Sequence, residues 1–258
     1  MCSLHYRIKG AGPAIVLLHG FMESMEMWNP FLPSLTQDFT VVMPDLPGHG
    51  RSECYNEEHS MEFMAEEVKK VLEKENIKKC TLIGHSMGGY VAMAFGRNYP
   101  EFLNGIVLFH SHPDADTPEG RKNRERIVQL VKKDKTGFIR NFIPSLYYNP
   151  FRKDLKDKIE DQKKIAGAMK PEGIIAALKG MKSRKSTTDV IQNTQLPILF
   201  IIGKQDSRTD LNRMLQLVGM PAHSESLILE HAGHMGFFEA EYETLSTLHY
   251  FSLKCAGR

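Results

Sequence analysis

The chain has 258 residues, a net charge of +2 and an ordinary share of hydrophobic and charged side chains, which fits one large α/β domain or two small ones. No apolar run approaches the ~20 residues needed to span a membrane, and the small net charge argues against a general nucleic-acid binder. The opening residues lack the apolar stretch of a secretion signal, so a cytoplasmic protein is expected. In chain order, Leu4–Ile8 reads as an edge strand. Ala14–Leu18 is a continuous apolar run, hence a buried strand, ending in His19-Gly20. A short helix is expected around Trp28–Leu35, then a strand at Thr40–Met43. A helix from Ser60 to about Glu75 follows, with Phe63, Met64, Val68, Val71 and Leu72 at helical spacing. Cys80–Ile83 is a strand, Met87–Asn98 a helix, and Gly105–Phe109 another buried strand.

The pattern changes over residues 113–190. No strand signal is strong there, and helical periodicity runs through Ile127–Val131, Phe138–Leu146, Leu155–Ala168 and Ile174–Met181. Residues 117–190 hold 19 Lys and Arg against 9 Asp and Glu, while the rest of the chain holds 14 against 22. Solvated helix faces explain such a bias, and so does a basic rim that attracts an acidic substrate or carrier protein. Strand and helix alternate again through Pro197–Ile202, Leu211–Val218, Ser226–Glu230 and a final helix at about Phe237–Ser252. Alternation of this kind predicts an α/β fold with a mostly parallel sheet and helices on both faces. The four cysteines, Cys2, Cys54, Cys80 and Cys255, show no C-x-x-C pair and no zinc spacing. Reduced structural thiols are expected, and nothing in the sequence asks for a metal or cofactor.

The chemistry centres on Gly84-His85-Ser86-Met87-Gly88. A strand, a tight turn with serine at its apex, and a helix form the geometry of a nucleophile elbow. Small neighbours let strand and helix approach closely, and the helix N-terminus favours developing negative charge. A serine hydroxyl needs a base, and the base an orienting carboxylate. In parallel sheets such groups gather at the carboxyl ends of strands. His234, in a Gly-His-x-Gly loop, is preferred as base over His231, which lies closer to the strand. Asp206, in Gly203-Lys204-Gln205-Asp206, is preferred as acid over Asp210, which suits a helix cap, and over Asp114 and Asp116. The backbone N–H groups of Met87 and Phe21 are the candidate oxyanion donors, with His19 holding the second loop in place.

With these residues in hand, the chain resembles an α/β-hydrolase of the small bacterial serine esterase and lactonase type. His19-Gly20, Asp45-x-x-Gly48-x-Gly50-x-Ser52, Gly84-x-Ser86-x-Gly88-Gly89, Gly203-x-x-Asp206 and Gly233-His234 match that family in order and spacing. The resemblance implies a seven- to eight-stranded core built from residues 1–112 and 191–258, with 113–190 as a helical cap. It implies a structural turn at Asp45–Ser52. Serine at position 86 sets the chain apart from the dehalogenases and epoxide hydrolases of this fold, which attack with a carboxylate. Tyr90 stands where menaquinone-pathway lyases usually carry arginine, and the basic cap is compatible with carrier-protein methyl esterases. Met22, Trp28, His110, Phe142 and Phe237 are candidate substrate contacts. Phe21, Met25, Met87, Phe138, Met169, Met181 and His112 are further candidates near the pocket. The expected reaction is hydrolysis of a small ester, lactone or thioester by a monomer or homodimer, with an acidic or carrier-bound substrate as one option. Rival readings are a lyase or cofactor-free peroxidase on the same triad, and a non-catalytic ligand-binding protein.

Overall fold

Seven strands form one sheet in the order β1-β3-β2-β4-β5-β6-β7. In the computed structural model, which describes residues 4–257, they are β1 (Tyr6–Lys9), β2 (Ala14–Leu18), β3 (Thr40–Pro44), β4 (Cys80–His85), β5 (Leu103–Phe109), β6 (Ile198–Gly203) and β7 (Ser224–Leu229). Only β1 runs antiparallel, pairing with β3 at the edge. Strands β2, β4, β5 and β6 are apolar almost throughout and buried, as expected of parallel strands covered on both faces. Neighbouring residues of β5 show the two coverings. Gly105 lies against Cys255 and Phe251 of the last helix, while Ile106 packs on Gly96 of the helix after β4. Successive side chains of a strand point to opposite faces, so these two helices cover opposite sides.

The helices are α1 (Leu32–Leu35), α2 (Met61–Lys74), α3 (Met87–Asn98), α4 (Pro118–Ser145), α5 (Lys156–Ala168), α6 (Pro171–Ser183), α7 (Thr188–Asn193), α8 (Leu211–Val218), α9 (Gly236–Glu239) and α10 (Glu241–Cys255). Ser60 caps α2 by accepting from Phe63 N–H, and Asp210 caps α8 by accepting from Arg213 N–H. Three departures from the sequence expectation have local causes. The helix expected near Trp28 begins as a 3-10 segment at Met25, capped by Ser24 and interrupted by Pro30. The two periodic stretches around Ile127 and Phe142 belong to one long α4, broken only at Asp134, whose φ of −154° is non-helical. Asp134 Oδ1 accepts from Gly137 N–H and so caps the second half. The final helix is two, α9 and α10, separated at Ala240.

All chain between β5 and β6 is helical or loop. Its helix α6 packs on the loops after β3 with almost nothing between the backbones. A Cβ on Gly180 would sit 1.7 Å from His59 O, and one on Gly173 2.4 Å from Gly48 O. Ala176 O accepts from His59 N–H at 3.0 Å across the same face. Among the described residues, no helix is long and apolar enough to cross a membrane. Cys54, Cys80 and Cys255 are free thiols, and Cys2 lies outside the described residues. Burial pushes the Cys80 thiol up to about 12.

Candidate active site

Ser86 stands between β4 and α3 with φ 50° and ψ −114°, a conformation that costs of order 1–3 kcal/mol for a residue with a Cβ. The surroundings fix it there. Ser86 N–H donates to Phe109 O at 2.9 Å, and Ser86 O accepts from Gly89 N–H and from Ser111 Oγ. The flanking glycines leave no space for a side chain. A Cβ at Gly84 would lie 2.3 Å from Gly88 O, and one at Gly88 2.5 Å from Leu18 O.

Two strand-end loops reach the serine. His234 Nε2 lies 2.8 Å from Ser86 Oγ, and its Nδ1 lies 2.8 Å from Asp206 Oδ2. Asp206 is further held by Arg208 N–H on Oδ1 and Thr209 Oγ1 on Oδ2. Burial alone would raise its pKa. The neighbouring His234 and the ring hydrogens of His110 and His234 outweigh burial and hold the carboxyl well below the usual range. An anionic Asp206 makes His234 Nδ1 the donor and leaves Nε2 to accept from the serine hydroxyl. The rival residues are occupied elsewhere. Asp114 pairs with Arg213, Asp116 with Arg124 and Arg184, and His231 is exposed.

Facing the serine is the turn Gly20–Glu23, closed by Glu23 N–H to Gly20 O at 3.3 Å, with Met22 at φ 62°. Phe21 occupies its middle, and Met87 opens α3 next to Ser86. His19 secures this turn: Leu46 N–H donates to its Nε2, so Nδ1 carries the hydrogen and donates to Gly20 O. The turn rests on a buried pair. Glu23 Oε2 accepts from Gly20 N–H at 2.6 Å and lies 3.0 Å from His85 Nδ1, and His85 Nε2 donates to His234 O at 2.9 Å. Burial opposes charge on both groups. Their mutual attraction overrides it, raising the His85 pKa and lowering that of Glu23. One ion pair therefore links the turn, the strand before the serine and the histidine loop. The Asp45–Ser52 loop is structural: Asp45 accepts from Met25 and Arg51 N–H, and its carbonyl from Ser52 Oγ.

Ser86 and His234 open into a cavity of about 290 Å³ whose walls include Phe21, Tyr90, His112, Phe142 and Met181. Of the candidate substrate contacts, Phe142 lines it. Met22, Trp28, His110 and Phe237 do not, because each is claimed by the core. Trp28 packs on Phe31, Phe109 and Phe237. His110 lies behind the acid, its Nδ1 3.4 Å from Asp206 Oδ2 and its Nε2 accepting from Gly236 N–H. Met25 is core as well, Phe138 stacks on Phe142, and Met169 lines a separate cleft. Among the described residues, His110, Asp206 and His234 bring potential metal-ligand atoms within 4.8 Å of one another. The Asp206 and His234 atoms of this group serve the hydrogen-bond relay to Ser86.

A model of the α/β hydrolase fold family matches residues 13–241. The chain belongs to that family. A 103-residue stretch is 39% identical to an uncharacterized protein of Mycobacterium tuberculosis, covering 40% of this hydrolase-family chain and 30% of that protein. The match thus spans under a third of that relative's length. A pimeloyl-[acyl-carrier protein] methyl ester esterase of Aeromonas hydrophila is 28% identical over 94% of this chain and 96% of its own. A thermophilic esterase from Thermogutta terrifontis, solved with malate bound, superimposes with a TM-score of 0.93 at 29% identity, covering 98% of this chain and 94% of its own.

Sequence reading missed Glu23 and His85, and missed the arginines of the cavity wall. His85 was readable only as a variable position inside the elbow. The partner that gives it a role lies 62 residues earlier.

Proposed function

We propose that this α/β-hydrolase is a serine esterase acting through an acyl-enzyme, with Ser86 as nucleophile, His234 as base and Asp206 as its orienting acid. The observation that carries the reading is the relay of two 2.8 Å contacts from Asp206 through His234 to a strained, outward-facing Ser86. His234 Nε2 takes the hydroxyl proton as Oγ attacks the ester carbonyl. The oxyanion forms between the backbone N–H groups of Phe21 and Met87, at the start of α3, where the helix dipole favours it. His234 returns the proton to the departing alcohol. Water then attacks the acyl-serine by the same route and frees the acid. Residues 113–190 act as the cap over this site, and 1–112 with 191–258 as the catalytic core. Phe21, Phe142 and Met181 supply the apolar part of the walls. The esterases with 28% and 29% identity over nearly the whole chain support ester cleavage over the other triad chemistries.

A fluorophosphonate probe should label the protein stoichiometrically at Ser86 and abolish hydrolysis of p-nitrophenyl esters. Ser86→Ala should fold and lose both properties. Asp206→Asn should retain labelling at a much reduced rate, with kcat down by about 10⁴. Wild-type hydrolysis by Ser86→Ala would overturn the assignment. The Aeromonas relative and the net charge of +10 over residues 117–190 favour a second, finer reading, a methyl ester presented on an acidic carrier protein. It predicts that a carrier-bound methyl ester is cleaved faster than the free one at low salt, with the difference fading at high salt.

A further inference from the structure

Two guanidiniums, those of Arg124 and Arg208, reach the cavity that holds Ser86 and His234. Arg124 directs Nε and Nη2 to Asp116, and Arg184 directs Nη1 to the same carboxylate at 2.6 Å. One carboxylate thus serves two guanidiniums. Arg184 also lies 3.9 Å over the Tyr90 ring, which lines the cavity. Arg208 forms no ion pair among the described residues; its Nη2 meets Ser145 Oγ and its guanidinium lies 5.0 Å over the Phe142 ring. The other charged groups nearby are already engaged: Asp206 holds His234. Glu23 is paired with His85, and His112 is held neutral by burial, its pKa lowered to about 4. Two guanidiniums therefore line a cavity with the proposed nucleophile in its wall: Arg124, which shares Asp116 with Arg184, and Arg208, whose neighbouring carboxylate Asp206 is engaged with His234.

We propose that the cavity takes an ester bearing a second, free carboxylate, and that Arg208, assisted by Arg124, holds that carboxylate. This rests on the esterase reading of Ser86. A guanidinium fork matches a carboxylate with two parallel hydrogen bonds, and Arg208, with no ion pair among the described residues, has no charged partner to give up. The volume limits the ligand. At about 290 Å³ the cavity lies at the small end of the ~300–1,000 Å³ usual for ligand sites, so the free carboxylate is a few bonds from the scissile ester. Half-esters of short dicarboxylic acids meet both conditions. Water adds across the acyl–oxygen bond, releasing the alcohol and the dicarboxylate.

The test compares monoethyl glutarate with diethyl glutarate in a pH-stat. The half-ester should show kcat/KM about 10- to 100-fold higher than the diester, the range expected for a charge-assisted pair. Arg208→Gln should lower that ratio about tenfold or more, mainly through KM, and Arg208→Glu should lower it further. High salt should weaken the half-ester's advantage. Calorimetric titration with glutarate gives a readout that needs no catalysis: wild-type and Ser86→Ala protein should bind it, and Arg208→Gln should bind about tenfold more weakly or worse. Equal use of the two esters by a protein whose Ser86 takes the fluorophosphonate label overturns the carboxylate site alone. An unchanged ratio in a folded Arg208→Gln protein does the same. Loss of labelling and of all hydrolysis overturns the esterase reading instead. In that case glutarate binding still decides the anion site, and absence of binding removes it.

Discussion

At the scale of single residues, buried histidines divide by the company they keep. Burial lowers the pKa of His19, His49, His59 and His110, so they stay neutral. His85 is equally buried, yet its pKa is raised, because Glu23 lies against it. Breaking such a pair leaves an uncompensated charge. Glu23→Ala should cost about 3–5 kcal/mol in denaturant unfolding and slow the proposed hydrolysis by freeing Gly20 N–H beside the proposed oxyanion donors. Glu23→Gln keeps an acceptor for Gly20 and should be milder. Nitrogen NMR at neutral pH should show a neutral His85 ring in that variant, as burial without the carboxylate dictates, and a protonated one in the wild type. Equal stability of Glu23→Ala and wild type would refute the pair's role. The three residues of the proposed triad could be picked out in the sequence because each sits in a short local pattern: glycines around Ser86, Gly203-x-x-Asp206, and Gly233-His234. Glu23 and His85 carry no such signature. Their meaning comes from a contact between two loops that only the folded sheet brings together.

At the scale of elements, glycines separate close approach from mere flexibility. Gly180 on α6 faces His59 O with no room for a methyl group, whereas Gly167 on α5 has nothing within 4 Å of where a Cβ would sit. Gly180→Ala should destabilise by at least ~1–3 kcal/mol as α6 is forced off the core. Gly167→Ala should instead stabilise by roughly 0.5–1 kcal/mol through helix propensity. Urea unfolding of the two variants checks both signs. Strand positions were largely legible, since Ala14–Leu18, Val41–Met43 and Ile198–Ile202 are unbroken apolar runs. The helices between β5 and β6 were legible as helical but not in extent. Lysine-rich turns of α4 between Val131 and Phe138 carry no apolar period, because that stretch is largely solvated.

For the whole molecule, a buried acid should set a pH trend. The Glu239 carboxyl accepts from Tyr148 N–H and Met235 N–H, but burial dominates and raises its pKa to about 7. A raised acid pKa means the folded state binds more protons between about 4.5 and 7, so stability falls as pH rises through that window. After allowance for solvent screening the loss is on the order of 2 kcal/mol. Glu239→Gln, which cannot ionise, should show a flatter profile from pH 5 to 8 in thermal unfolding. A profile parallel to the wild type would remove Glu239 as the cause.

The same carboxyl belongs to a seam where the chain between β5 and β6 meets the histidine loop. His234 N–H donates to Leu146 O at 2.8 Å, and a Cβ on Gly233 would touch Tyr148 N at 2.6 Å. The backbone that aims His234 is thus hung from the end of α4. If residues 146–148 lifted to admit a substrate, they would pull the imidazole out of line with Ser86. Gly120, Asn123 and Ile127, from the first half of α4, line the same cavity. The seam ties the aim of His234 to the chain between β5 and β6, so a change at residues 146–148 should be felt first in the contact between His234 Nε2 and Ser86 Oγ.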